Sequence, residues 1–172
     1  QNGPITTLHR LPGYSLEKIE NDLRRFAKRS PMTLILPSLF SELEGPALAN
    51  ILEELKGADY INEIVIGLDQ ADEAQFEYAK EFFSCLPQTT RILWNDGPRL
   101  REIADELEKR KLGPSQAGKG RNVWYCMGYI LSENNSKAVA LHDCDILTYT
   151  RDIPARLFYP IVNPALDFEF CK

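Results

Sequence analysis

Histidine and cysteine are scarce in this chain, and the scarcity narrows the chemistry before any motif is read. Its 172 residues include two histidines and four cysteines. Cys85, Cys126, Cys144 and Cys171 form no C-x-x-C pair, and neither His9 nor His142 has a spacing that would build a zinc site. Cysteines so dispersed are expected to be reduced and mostly buried, as in a cytoplasmic protein. No apolar run approaches the ~20 residues of a membrane span, and nothing in the opening residues reads as a signal peptide. A basic excess is also missing. The 20 Lys and Arg face 25 Asp and Glu, for a net charge of −5. Nucleic acid is therefore not an expected partner, since its phosphates demand a basic face. The one basic knot, Arg24, Arg25, Lys28 and Arg29, reads as a solvated helix face. Repeats, low-complexity tracts and flexible linkers are absent.

What remains is an ordinary globular composition, 44% hydrophobic and 26% charged, long enough for one domain with a real core. The chain starts at Gln1 rather than Met, and Phe168–Lys172 reads as the beginning of a strand. A fragment of a longer protein is the expectation.

The apolar spacing alternates between two periods. Leu16, Ile19, Leu23 and Phe26 predict a helix over 15–29 with Ser15 as N-cap. A strand over 33–36, ended by Pro37-Ser38, comes next. Then come a helix from Pro46 to Lys56 stopped by Gly57, a strand over 61–68 ending at Asp69, and a helix over 72–83. A strand over 90–94 precedes Asn95-Asp96-Gly97, and a helix over 98–111 carries mixed charges. After a Gly/Pro/Ser-rich loop, a helix over 119–131 leads into a last strand that runs to Asp143. Repeated strand–helix units of this length predict a mainly parallel α/β sheet with helices on both faces. Residues 1–30 read as an N-terminal helical extension and 31–172 as the sheet domain. The N-terminal helix could pair two chains as a homodimer, although packing on its own sheet is the commoner fate.

In open α/β sheets ligands bind beyond the carboxyl ends of the strands. Three predicted strand ends are polar there: Pro37-Ser38, Asp69, and the pair Asp143/Asp145. The run Ala138-Val139-Ala140-Leu141-His142-Asp143-Cys144-Asp145 is the most telling. Alternation with Cys144 sends both carboxylates to one face, and two hard oxygen ligands suit Mg²⁺ or Mn²⁺ shared with substrate phosphates. His142 beside them could support a ligand or simply pack against the sheet. Gly113–Lys119 matches G-x-x-x-x-G-K, but Gly120 stands where a P-loop needs Ser or Thr, and the loop follows a helix. A P-loop ATPase is excluded. Gly118-Lys119-Gly120 at a helix start still offers N–H groups and a cation to a diphosphate. Asp143-Cys144-Asp145 also resembles the first motif of haloacid-dehalogenase-type phosphatases. Ile146-Leu147-Thr148 replaces the expected Gly-Thr, however, and three strand–helix units come first.

Taken together, the Leu36-Pro37-Ser38-Leu39 strand end, the strand ending in Asp69, Gly118-Lys119-Gly120-Arg121 and Leu141-His142-Asp143-Cys144-Asp145 resemble a nucleotide-sugar glycosyltransferase of the GT-A fold. Leu36-Pro37-Ser38-Leu39-Phe40-Ser41-Glu42 narrows the resemblance, which spans roughly residues 30 to 172, to the glucosyl-3-phosphoglycerate synthase family. That resemblance implies transfer of glucose from UDP-glucose to 3-phosphoglycerate with retention and a divalent metal, Mg²⁺ or Mn²⁺. It implies a nucleotide-sugar donor and a small phosphorylated acceptor as partners. Pro37, Ser38 and Leu39 would hold the uridine end, and Asp69 would face the nucleotide. Gly118 and Lys119 would sit by the diphosphate or donor sugar, Asp143 would face ribose and sugar, and Asp145 would bind the metal.

There are two departures from the family pattern. Phe40-Ser41 stand where Asn-Glu is usual, so either Glu42 substitutes by a local shift or that contact is lost. The family's acceptor residues and a further metal-binding His lie after the D-x-D, beyond Lys172 or absent, which makes this the donor-binding half. Competing readings are a non-catalytic sugar-nucleotide-binding module and a nucleotidyltransferase. The latter is disfavoured because Ser38–Gly45 is acidic and lacks Lys and Arg.

Overall fold

The computed structural model describes residues 5–9, 15–114, 116–166 and 168–172. Its centre is a four-stranded parallel sheet. β2 (Met32–Leu39) lies between β3 (Glu63–Asp69) and β5 (Ala138–Leu141), and β4 (Thr89–Trp94) lies outside β3. The chain thus builds outward from β2 through β3 to β4, then crosses back to place β5 on the other flank. A second pair, β1 (Ile5–Thr6) with β6 (Phe170–Cys171), is also parallel. β3 is buried throughout and β2 at every residue but Leu39, as expected of strands covered on both faces.

Alternation sends Leu34, Leu36, Ile64 and Ile66 to one face, where they form the main core with α1 (Leu16–Ala27), α3 (Pro46–Lys56), α4 (Glu73–Phe83) and α7 (Asp152–Val162). Ile35 and Val65 point the other way, against Cys126 and Ile130 of α6 (Lys119–Glu133). The architecture is a Rossmann-like α/β fold with helices on both faces. α2 (Phe40–Leu43) is a single turn, and α5 (Pro98–Lys109) buries none of its residues. No helix among the described residues is long and apolar enough to cross a membrane.

Local chemistry explains the bounds. The Ser15 hydroxyl accepts from the Lys18 N–H, Pro46 opens α3 and Gly57 closes it, and Asp72 with Gln75 forms a reciprocal cap on α4. α1 carries Ile19 and Leu23 into the main core and packs along α7.

Several expected boundaries need correction. β2 does not stop at Leu36 but runs through Pro37 and Ser38 to Leu39. β5 pairs with β2 only as far as Ile35 with Leu141. Beyond that rung β2 is an edge on one side, and an edge tolerates a residue with no N–H. β3 begins at Glu63, two residues later than expected, because Ala58–Ile61 still turn out of α3. α5 ends at Lys109 rather than Lys111, and α6 continues to Glu133 before Asn134 closes it in a left-handed conformation. β5 ends at Leu141, so Asp143 lies beyond the strand. α7 was not foreseen. Pro154 sits in its first turn, where an N–H is unused, and Pro160 removes a bond to the Arg156 carbonyl. That carbonyl accepts instead from the Cys171 thiol at 3.5 Å.

Candidate functional site

The reversal of strand order around β2 opens a crevice at the carboxyl ends of β2, β3 and β5. Two chain segments depart there in opposite directions. A cleft of about 310 Å³ occupies it, lined by Pro37, Ser38, Leu39, Glu42, Asp69, Gln70, Gly118, Lys119, Asn122, Asp143, Cys144 and Asp145. All nine residues singled out from the sequence line this one cleft. Ser115, in the glycine-rich loop, lies outside the described residues.

Each wall has a local cause. On the β2 side, Ser38 is buried and Leu39 turns outward. The Leu39 N–H donates to Glu42 Oε2 at 2.9 Å, so the Glu42 carboxylate reaches the cleft as the cap of α2. At the end of β3, Asp69 is 5% exposed and accepts from the Gln70 N–H at 3.2 Å, with Gln70 at φ 56°. The Arg121 guanidinium stands 3.7 Å from Asp69.

The start of α6 forms the opposite wall. Gly118 takes φ 136°, a conformation L side chains avoid, and no side chain caps the first turn behind it. The N–H groups of that turn are therefore free to face an anion. Lys119 crosses the cleft to pair with Asp143. Asn122 is buried and its Nδ2 donates to the Gly67 carbonyl at 2.8 Å, fixing the helix start on β3.

The acidic pair is not on a strand, yet the expected alternation persists. Asp143 and Asp145 are exposed, while His142 and Cys144 are buried. Burial, a hydrogen bond with Ser38 notwithstanding, pushes the Cys144 thiol up to about 12, so it stays protonated and packs. His142 is not a ligand. A carbonyl can only accept, so Nδ1 carries the proton it gives to the Asp143 carbonyl at 3.0 Å. Nε2 then accepts from the Tyr149 hydroxyl at 3.0 Å. Both ring nitrogens are used to hold the backbone between the carboxylates and α7. The same loop is tied down by Asn50, whose amide donates to the Tyr149 carbonyl, and by Glu54, which accepts from the Arg151 N–H.

Burial lowers His142 to about 4, against 6.5 in an unfolded chain. Between those values the unfolded chain binds the extra proton, so stability is full above pH 6.5 and falls as pH drops toward 4. The loss is about 3 kcal/mol. Urea titrations at pH 7 and pH 4 are expected to show parent protein losing about that much more stability than His142→Asn. Equal losses would contradict the neutral, buried imidazole.

No group of three or more His, Cys, Asp or Glu side chains among the described residues could by itself hold a metal. One or two exposed carboxylates are nonetheless what Mg²⁺ or Mn²⁺ requires when phosphate oxygens and water complete the shell. The donor set at Asp145 fits such an ion. All four cysteines are free, Cys126 and Cys144 buried, Cys171 partly buried and Cys85 exposed, so only half are enclosed as expected.

Sequence reasoning had not assigned Gln70, Asn122 or Arg121 to this site. The signal for Asn122 was Gly67, a glycine inside an apolar strand that marks close approach by another group.

Fold and cleft together define an open α/β protein with a carboxylate pair and a helix start meeting at its switch point. No family model matches the chain. Among curated proteins it is 49% identical over 172 residues to a glucosyl-3-phosphoglycerate synthase of Persephonella marina, covering 100% of this chain and 43% of that protein. It is 36% identical over 169 residues to one of Methanococcoides burtonii, covering 98% of this chain and 41% of that protein. The chain is thus a homologue of glucosyl-3-phosphoglycerate synthases along its length, and it spans about two fifths of these relatives.

Proposed function

We propose that this chain forms the donor-binding part of a retaining glycosyltransferase. That enzyme moves glucose from UDP-glucose to 3-phosphoglycerate, the product being named in both relatives. The observation that carries the reading is convergence. A β2 end with Pro37-Ser38-Leu39, Asp69, the uncapped start of α6 with Lys119, and the Asp143/Asp145 pair all border one cleft.

In this reading Pro37, Ser38 and Leu39 present backbone and an apolar surface to the nucleoside. Gly118 keeps side-chain bulk away from the diphosphate so that the first-turn N–H groups of α6 can reach it. Lys119 gives up Asp143 for the departing phosphate, whose charge grows as the glycosidic bond breaks. The freed Asp143 accepts from ribose or sugar hydroxyls. Asp145 would hold the divalent ion, which when bound supplies Lewis-acid stabilisation of the leaving diphosphate. No protein nucleophile is needed in a retaining path where the leaving phosphate helps deprotonate the acceptor.

Calorimetric titration with UDP-glucose and, in parallel, GDP-mannose, each with and without Mg²⁺ or Mn²⁺, tests the reading. Metal-dependent binding that favours UDP-glucose is expected. Absence of UDP-glucose binding in the presence of either metal would overturn it.

A further inference from the structure

We infer that Tyr149 is a positioning residue for the acidic pair, an inference that rests on the donor-binding reading. Tyr149 lies outside the lining of the cleft and acts through His142. Residues 142–151 carry Asp143 and Asp145 from β5 to α7 and belong to no helix or strand. Such backbone has no ladder to fix it, so the placing of its two carboxylates depends on bonds from elsewhere.

Two sets of bonds supply the hold. Within the loop, the Tyr149 hydroxyl donates to His142 Nε2 at 3.0 Å, and His142 Nδ1 donates to the Asp143 carbonyl at 3.0 Å. Tyr149 is 2% exposed and His142 7%, with ring centroids 4.8 Å apart. The relay therefore runs out of water from residue 149 to the peptide that joins Asp143 to Cys144. From outside the loop, the Asn50 amide donates to the Tyr149 carbonyl at 3.2 Å, and Glu54 accepts from the Arg151 N–H at 3.0 Å. Residues four apart share one face of a helix, so α3 presents both groups together. α3 is itself anchored in the main core through Leu48, Ile51, Leu52 and Leu55. Tyr149 thus ties a rigid helix to the Asp143 peptide.

Groups that orient a ligating side chain from behind are commonly worth 10- to 100-fold in metal affinity. Tyr149→Phe removes one oxygen and keeps the ring in the core. His142 Nε2 is then left with no donor, and nothing but the Asp143 carbonyl holds the imidazole in its orientation. The effect falls on the metal rather than on the nucleotide. Asp145 rides on the loop, whereas Pro37, Ser38 and Leu39 are fixed by β2 and the Gly118 turn by α6.

UDP is titrated calorimetrically, in Mn²⁺ and in EDTA, into the full chain and into Tyr149→Phe. The parent is expected to bind more tightly in Mn²⁺. Tyr149→Phe is expected to lose about tenfold in Mn²⁺ and less than about twofold in EDTA. A side chain that served the fold alone would change both affinities by one factor or change neither, and either result overturns the role. If Tyr149→Phe does not fold, Asn50→Ala carries the test, since Asn50 is exposed on α3. It is expected to lose about threefold in Mn²⁺ alone, and parent-like affinity overturns the role. Nitrogen NMR of the parent gives a further check, with His9 the only other imidazole. His142 is expected to carry its proton on Nδ1, and a proton on Nε2 instead overturns the relay. A parent tightened by Mn²⁺ beside an unchanged Tyr149→Phe removes the relay and leaves donor binding standing. A parent that binds no UDP overturns both.

Discussion

Asp145→Asn is expected to abolish the metal-dependent part of UDP-glucose binding while leaving the fold unchanged. The Asp145 side chain is exposed on the cleft and enters no hydrogen bond or ion pair among the described residues. Its charge raises the buried Cys144 thiol but is tied to no cation or hydrogen-bond donor, and a surface substitution of this kind stays within about 0.5 kcal/mol of parent stability. The amide retains shape and loses charge. If the carboxylate holds the ion, affinity in Mn²⁺ should fall on the order of 100-fold, ~2.7 kcal/mol, toward the value measured in EDTA. Parent-like affinity and parent-like metal dependence in the variant would remove Asp145 from the metal role. Asp143→Asn makes a useful contrast, because it frees Lys119 as well as removing a carboxylate.

The second large effect is on stability. A Cβ on Gly67 would lie 1.6 Å from Asn122 Oδ1 and 2.8 Å from Cys126 Sγ. These atoms belong to buried side chains of α6, and the Asn122 amide is bonded to the Gly67 carbonyl itself. Gly67→Ala must push the helix start off β3 and break that bond. A loss of about 3 kcal/mol is expected from overpacking with an unsatisfied buried amide, read as a lower urea midpoint. Since α6 also carries Gly118 and Lys119, UDP-glucose binding should weaken in the same variant. Asn122→Ser added to Gly67→Ala should return part of the stability by making room. A parent-like midpoint in Gly67→Ala would show that the contact is not tight.

How much of this was legible in the sequence depended on whether the cause was local. Ser15, Pro46 and Gly57 announce helix ends through their own backbone preferences, and the structure uses each as read, whereas Asp72, read as the first residue of a helix, is its N-cap. The strand-end polar residues could be gathered at one cleft because topology alone brings carboxyl ends together. What escaped depended on distant partners. α7 was hidden by two prolines, whose cost is met by a first-turn position and by a thiol eleven residues further along at Cys171. The role of His142 follows from Tyr149 and from a carbonyl geometry that no residue pattern encodes. Glu42 was recognised as displaced from the family position, but only the structure shows its carboxylate capping α2. Asn95 follows a predicted strand with nothing in the pattern to mark it, and only the structure shows it buried.

The order of the strands has a kinetic side. Thr33 pairs with Glu63, and Glu63 with Thr89, so the β2–β3–β4 half closes over modest loops. Thr33 also pairs with Val139, a closure spanning most of the chain and entropically the most demanding. β5 and the loop behind it are thus expected to dock last. Half of the cleft, Pro37 to Asp69, would be shaped early in folding, and the half bearing the acidic pair would arrive only when the molecule is otherwise complete. A chain caught before that step would have a sheet and a core but only one wall of its cleft.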